Sequence, residues 1–436
     1  MTTRAPFTLA ALALVLLACA NAARAQERDA PKAEVGVQYS SLSVNLPGFR
    51  GTEHVAGFGG RVTYNFNDYF AVEAEGNLHP SRAQRDYVTG GASQQMQFGV
   101  KAGKRWRTFG VFAKARPGFV SFGETLTPFQ VVSGAATSVV FDRERKTHFS
   151  MDVGGVVEFY PSRRVLVRFD VGDTLIRFGE HPELQPFFGP GGPVVVTEPS
   201  QTTHNFQFTG GVGFRFGGGG DDDPGGGGAA TGGGLERRFE VGAQFSSLVL
   251  RLSPELLNFP FTGGTGAGSR AEAGFGGRVG FNATDSLAFE AEGNFYPRRR
   301  FGFDATTGGY PAQMQFGVKY GRRHERFGLF AKARPGFVTF SSVTTLTGVD
   351  VVTFEGQQFA LPNFEQRRQT YFSMDLGGVL EFYPSSRVLT RFDFGDTMIR
   401  YPERELPGSF TGGLIARVPS ELRHNFQFTG GVGFRF

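Results

Sequence analysis

The sequence predicts an all-β chain of transmembrane antiparallel up-and-down β-barrels, two of eight strands in tandem, with one sixteen-stranded barrel as the alternative. Three observations predict it. The chain is a duplication, each copy holds eight stretches of alternating apolar and polar residues, and each copy sets equal numbers of cations and carboxylates on its polar faces.

The first residues read as a signal peptide over 1–25. Arg4 supplies positive charge, Phe7 to Ala18 an apolar run, and Ala23-Arg24-Ala25 a small-x-small cleavage site before Gln26. A competing reading takes Leu16-Leu17-Ala18-Cys19 as a lipoprotein signal with Cys19 lipidated. Cleavage after Ala25, the preferred site, removes the one cysteine and with it thiol, disulfide and Cys-metal chemistry. No later apolar run reaches the length of about 18 residues that a membrane helix needs. The other structure a bilayer admits is a closed barrel, whose strands carry their signal in alternation.

Composition agrees. Of 436 residues, 64 are Gly and 49 Phe, while only 19% are charged. Abundant Gly without a collagen period suits strands that pack closely, and Phe suits a face turned to something apolar. The net charge of +5 is spread along the chain, with no basic tract or zinc-ligand spacing, which argues against nucleic-acid binding.

The repeat sets the domains. Gly57 to Val62 recurs as Gly274 to Val279, Gln95 to Lys101 as Gln313 to Lys319, and His204 to Phe216 unchanged as His424 to Phe436. The expected division is copy 1 over 26–216, a Gly/Asp-rich periplasmic linker over 217–236, and copy 2 over 237–436. The linker reads as flexible, with an r.m.s. span of about 23 Å, and Asp221 to Asp223 read as solvated charge rather than a cation site.

Eight alternating segments lie in copy 1 near 33–44, 54–66, 69–79, 94–104, 109–122, 147–160, 165–178 and 204–216. In the last, Phe206, Phe208, Val212, Phe214 and Phe216 share one face, and Asn205, Gln207, Thr209 and Arg215 the other. Strands 2–3, 4–5 and 6–7 meet in tight turns such as Asn67-Asp68 and Pro161 to Arg164. The connections 45–53, 80–93, 123–146 and 179–203 are long. The copies are offset by 206 at Val35/Val241, 217 at Arg61/Arg278, 218 at Lys101/Lys319, 223 at Asp152/Asp375 and 220 at Phe206/Phe426. Every length change therefore falls in a long connection. Solvent loops tolerate insertion, so the barrel is polarised, with short turns at one end and long loops at the other.

The polar faces of copy 1 carry Arg61, Lys101, Lys114, Arg116 and Arg168 against Glu73, Glu75, Asp152, Glu158 and Asp170. Copy 2 keeps all ten as Arg278, Lys319, Lys332, Arg334 and Arg391 against Glu290, Glu292, Asp375, Glu381 and Asp393. An eight-stranded lumen is wide enough only for side chains, where charges must pair or suffer desolvation. Such balance predicts a plugged, salt-bridged interior. If all sixteen strands fused, the same charges would line a pore for passive diffusion of small solutes.

These features resemble the OmpA/OmpX-like eight-stranded outer-membrane barrel superfamily, twice over; the duplication departs from its usual single barrel. The resemblance implies a Gram-negative outer-membrane location with lipid and lipopolysaccharide around the barrel. The terminal strand, with Phe426, Phe428, Phe434 and Phe436, is similar to the signal read by the outer-membrane assembly machinery.

Some such barrels modify lipids, and His148-Phe149-Ser150 resembles the His-x-Ser arrangement of lipid A deacylases. Both side chains here have inward parity, where no lipid substrate reaches, and copy 2 has Tyr371 in place of His148. A rim histidine is the expected reading, as it is for His204 and His424. No catalytic residue, metal site or cofactor is expected. The loops, including Pro297 to Phe301 and Pro186 to Pro199, carry basic and aromatic residues suited equally to lipopolysaccharide phosphates or to plain solvation; their ligand is not named by the sequence. The leading reading is a non-enzymatic envelope or surface-interaction protein. The rival is the sixteen-stranded pore, and a lipid-modifying enzyme stands third.

Overall fold

The computed structural model describes residues 31–47, 52–83, 86–133, 136–185, 194–217, 237–251, 269–297, 306–354, 357–407 and 415–436. The signal peptide, nearly all of the linker, and the basic stretch after Pro297 lie outside them. Two units are compact in themselves, Met1–Ala229 and Ala230–Phe436.

In the first unit, β1 (Ala33–Asn45), β2 (Thr52–Asn65), β3 (Phe70–Ala83), β4 (Gly91–Arg105), β5 (Phe109–Ser133), β6 (Ala136–Phe159) and β7 (Val165–Phe178) are each hydrogen-bonded antiparallel to the next. After the short strands β8 (His181–Gln185), β9 (Val194–Glu198) and β10 (Gln201–Thr203) comes β11 (Phe206–Phe216). It lies between β7 and β1, with Gly211 opposite both Arg168 and Gln38, and closes the ring at eight staves.

The second unit repeats this with β12 (Phe239–Arg251), β13 (Ser269–Asn282), β14 (Leu287–Phe295), β15 (Pro311–Arg323), β16 (Phe327–Phe354), β17 (Gln357–Phe382) and β18 (Val388–Tyr401). A small hairpin, β19 (Arg404–Pro407) with β20 (Ile415–Val418), precedes β21 (Glu421–Arg435). The latter pairs with β18 and β12 to close a second barrel.

Period-two alternation explains which way each residue faces. Val37, Phe58, Val62, Phe98, Val111, Phe149 and Phe214 point outward and are exposed, while their neighbours in sequence turn in. Among the described residues no helix is long and apolar enough to cross a membrane. At the short-turn end aromatic rings gather: Trp106 stacks on Phe109 at 4.6 Å, and Phe66 lies 5.2 Å from Tyr64 and 5.6 Å from Phe70. Such girdles mark the interfacial rim of a membrane barrel.

Two long connections differ from the sequence reading. Within 123–146 the described residues are largely strand, with β5 and β6 continuing to pair out to Ser133↔Ala136. Their Thr and Val content supports an extended hairpin, although polar residues there mask the alternation. Likewise 179–203 contains the β8–β9 hairpin. The predicted strand 204–216 is interrupted in the first unit between Thr203 and Phe206, and continuous in the second.

Both barrels share a local irregularity with a plain cause. The β4–β5 ladder skips from Gln97↔Gly118 to Val100↔Ala115, and β15–β16 from Gln315↔Gly336 to Val318↔Ala333. Pro117 and Pro335 sit in the gaps, and proline has no N–H to give to a ladder.

Gly154 and Gly377 face inward where β6 meets β7 and β17 meets β18. A Cβ at either would collide with the carbonyl oxygen of Val171 or Phe394. Gly154→Val and Gly377→Val are expected to stop their barrel closing, read as loss of the compact, heat-modifiable band on a gel. A variant that kept that band would show that the strands do not approach so closely.

Candidate functional site: the charged lumen

Inward-facing side chains form layers from the short-turn end to the long-loop end. In the first unit the lowest holds Glu34, Asn65, Arg105 and Tyr160. Arg105 Nη2 donates to Glu34 Oε1 and Asn65 Oδ1, each at 3.1 Å, and Arg105 Nε to the Tyr160 hydroxyl at 3.1 Å. Tyr160 in turn donates to Glu158 Oε2 at 2.7 Å, and the Arg215 guanidinium lies 4.3 Å from its ring centre.

The ionic layer follows. Lys101 Nζ faces three carboxylates, Glu158 at 2.6 Å and Glu34 and Glu73 at 3.6 Å each. An ammonium has three N–H donors, so one lysine serves three strands. Arg168 bridges Glu73 and Asp170, at 2.9 and 2.5 Å. Arg116 joins Glu75 to Asp152, and Lys114 lies 2.7 Å from Asp152. The second unit repeats the set. Lys319 pairs with Glu381 and lies 3.3 Å from Glu290 and 3.4 Å from Glu240. Arg391 pairs with Glu290 and Asp393, Arg334 with Glu292 and Asp375, and Lys332 with Asp375 at 2.7 Å.

The structure therefore brings nine of the ten predicted charges in each unit into one network. Arg61 and Arg278 stand apart from it. They are buried but donate to the amide oxygens of Gln38 and Gln244, with no carboxylate in ion-pair range among the described residues. Glu75, opposite Arg61 in the ladder, is held by Arg116 instead. Sequence reasoning missed Glu34 and Arg105, and Glu240 and Arg323 in the second unit, whose inward parity and repetition in both copies were the available signal. They add one charge of each sign per unit, so the balance is kept.

Above the ions lies a layer of amides and hydroxyls. Gln95 and Gln207 exchange reciprocal hydrogen bonds at 2.8 and 2.9 Å, Gln38 donates to Asn77 at 2.9 Å, and Thr174 to Gln207 at 2.6 Å. Gln313 and Gln427 do the same in the second unit. The outermost layer is apolar in the first unit: Leu42, Val44, Val55, Val88, Val120, Phe122, Ile176 and Phe178. The second has Leu248, Leu250, Val338, Phe340 and Ile399 with three tyrosines.

The remaining candidates fall as follows. His148 is not a free rim residue. It is buried in the mouth, its Nε2 2.9 Å from the Val88 carbonyl and its ring 4.8 Å from that of Phe178. Ser150 is fully buried below it, and no hydrogen bond joins the two. His204 and His424 lie exposed on the outer rim, each with Nδ1 2.6 Å from a carboxylate of the preceding inter-loop strand, Asp173 or Asp396. Asp173 also accepts from the Asn205 backbone N–H, which secures the interrupted last strand. Glu240, Glu290 and Glu381 have oxygens within 4.8 Å of one another, spacing that would suit a cation. Lys319 supplies that positive charge. Phe426, Phe434 and Phe436 point outward and are exposed, and Phe428 packs against Phe392 and Phe394. The Phe436 N–H donates to the Phe239 carbonyl at 2.8 Å at the closing seam.

Residues 10–216 match the family of the outer membrane protein beta-barrel domain. No curated protein matches the chain. Similar solved structures include the N-terminal barrel domain of Pseudomonas aeruginosa OprF, at 10% identity over 42% of this chain and 97% of that one, with a TM-score of 0.22. The attachment invasion locus protein Ail of Yersinia pestis is 11% identical over 43% of this chain and 99% of its own, TM-score 0.26. A Pseudomonas aeruginosa FadL homologue is 12% identical over 93% of this chain and 90% of its own, TM-score 0.28. The family match covers just under half of the chain, all of it in the first unit; with the closed antiparallel barrels it supports an outer-membrane β-barrel protein located in the bacterial outer membrane.

Proposed function

We propose that the protein is a non-enzymatic integral outer-membrane protein whose two barrels are plugged, and that it serves the envelope or the cell surface through its long loops. The second unit is read as a second barrel of the same family. One observation carries this: in both units the ten predicted lumen charges are 0–6% exposed, nine of them held in a paired layer beneath amides and large apolar or aromatic side chains. A conducting pore needs wet, accessible charge along its wall, and here the wall charges neutralise one another.

Ring closure supports two barrels over a sixteen-stranded pore, since β1 pairs with β11 and β12 with β21. Against catalysis, His148 and Ser150 are enclosed where no lipid reaches. The loops meet lipopolysaccharide and external partners, and the terminal aromatics guide assembly.

Ser150 and Ser373 lie at 0% exposure within the two lumens. Ser150→Cys and Ser373→Cys, in a Cys19→Ala background, are expected to resist a charged thiol reagent in the folded protein and react on denaturation. Rapid labelling of the folded protein would reject the plugged lumen.

A further inference from the structure

Each barrel carries arginines at one border of its outer surface. On β6 the outward residues from Phe159 to Phe149 are apolar or glycine, and on β17 so are those from Phe382 to Phe372. Either run rises about 33 Å along its strand. Along a barrel axis inclined to it by about 40° that is about 25 Å, the height of an outer-membrane apolar band. The next outward residues are Thr147 and Arg145 on β6, and Thr370 and Arg368 on β17. On the neighbouring stave Arg177 stands opposite Phe149. Arg400 follows Ile399, which stands opposite the Ser373 next to Phe372. All four arginines are exposed, at the level where an apolar band gives way to headgroups.

Among the described residues no carboxylate lies in ion-pair range of any of the four. Carboxylates close in sequence are taken by other cations, Glu144 by Lys146 at 3.2 Å and Glu365 by Arg367 at 2.6 Å. Hydroxyls border the arginines: Thr147 and Arg145 donate to Ser121 at 3.0 and 3.3 Å, and Thr339 and Thr370 lie 3.0 Å apart. The His204–Asp173 and His424–Asp396 pairs continue the polar strip one stave further. Between the copies the neighbours change, since Arg143, Glu144 and Lys146 stand where the second has Gln366, Arg367 and Gln369. Arg145, Thr147 and Arg177 recur as Arg368, Thr370 and Arg400. Solvated loop charge varies with its surroundings, whereas a shared ligand holds it in place.

We infer that each barrel binds one phosphorylated glycolipid of the outer leaflet against this strip, an acylated disaccharide bearing two phosphate groups. A guanidinium meets a phosphate through two parallel N–H donors. Arg145 lies four residues beyond the partner of Arg177, about 13 Å along the stave. Each arginine therefore takes its own phosphate, which a phospholipid with a single phosphodiester does not supply. The hydroxyls donate and accept, as sugar hydroxyls require. Beneath them Phe149 and Val171, or Phe372 and Phe394, are exposed to acyl chains. The inference rests on the proposed reading that the long-loop end faces outward, and names the lipid met there.

The test uses the full chain in detergent micelles and native mass spectrometry, with diphosphoryl lipid A, monophosphoryl lipid A and phosphatidylglycerol as probes. Diphosphoryl lipid A is expected to give two tightly bound molecules per chain. The other two probes should bind at least about tenfold more weakly, the loss of one charge-assisted contact. Inorganic phosphate should not displace the lipid. Arg145→Gln with Arg177→Gln should leave one tight site, and adding Arg368→Gln and Arg400→Gln should leave none, with the heat-modifiable band intact. Phosphatidylglycerol bound as tightly, displacement by phosphate, or undiminished binding by the quadruple variant would each overturn the site. Orientation is read separately. Val140, on the projecting β5–β6 hairpin, is exposed, so Val140→Cys in a Cys19→Ala background should react with a membrane-impermeant thiol reagent on intact cells. No labelling there overturns the outward reading, and with it the choice of leaflet. Labelling without tight lipid A binding overturns this inference and leaves that reading standing.

Discussion

Lys319→Met is expected to destabilise the second barrel by about 3–5 kcal/mol, the usual cost of removing one partner from a buried ion pair. The ammonium is fully buried and faces Glu240, Glu290 and Glu381. Without it three carboxylates are crowded together away from water, with Arg391 as the one close cation, Arg334 and Arg323 at longer range, and hydrogen bonds from Asn282 and Tyr383. Lys101→Met should do the same to the first barrel through Glu34, Glu73 and Glu158. Denaturant unfolding in detergent measures both. Pairing Lys319→Met with Glu381→Gln restores the charge balance and should recover much of the loss. Equal destabilisation of the single and double variants would mean that the lysine acts through packing, for instance against the Phe330 ring 4.9 Å away, and not through charge.

Phe122→Ala removes a fully buried ring from the apolar mouth of the first barrel, in contact range of the His148 ring at 6.0 Å. The expected cost is about 3–5 kcal/mol, transfer and cavity terms together. Conductance is expected to stay at baseline, because the amide and ionic layers lie beneath in series. If this one substitution opened an ion path, the ionic layer would not be a barrier, and the closure would rest on the apolar layer alone.

Most of the architecture was legible because a barrel writes its period-two alternation into every stave, and because the duplication supplied two readings of each strand. Short turns such as Asn67-Asp68 stood out for the same reason: no length change fell in them. The inward charges were legible by parity. What parity cannot tell is reach. Arg61 and Glu75 are ladder partners, yet Arg61 donates to Gln38 while Arg116 reaches Glu75 from β5. Glu34 and Arg105 sit at strand ends, where lumen and solvent are not distinguished by sequence, and they join the network through Lys101, Tyr160 and each other. The outer hairpins were read as loops because their pairing depends on two segments finding each other beyond the barrel, with no apolar face to betray it. The mouth of the second barrel was illegible for a related reason: its lining comes from several loops and strand ends whose meeting is decided by the ring as a whole.

Planar-bilayer recording on the full-length protein is the most direct measurement of whether the paired charges close both lumens. A flat baseline at all applied voltages, with the protein verified as folded and inserted, is the predicted result. Stable unitary steps from the wild-type protein would contradict it and return the wall of arginines, lysines and carboxylates to the role of a pore lining.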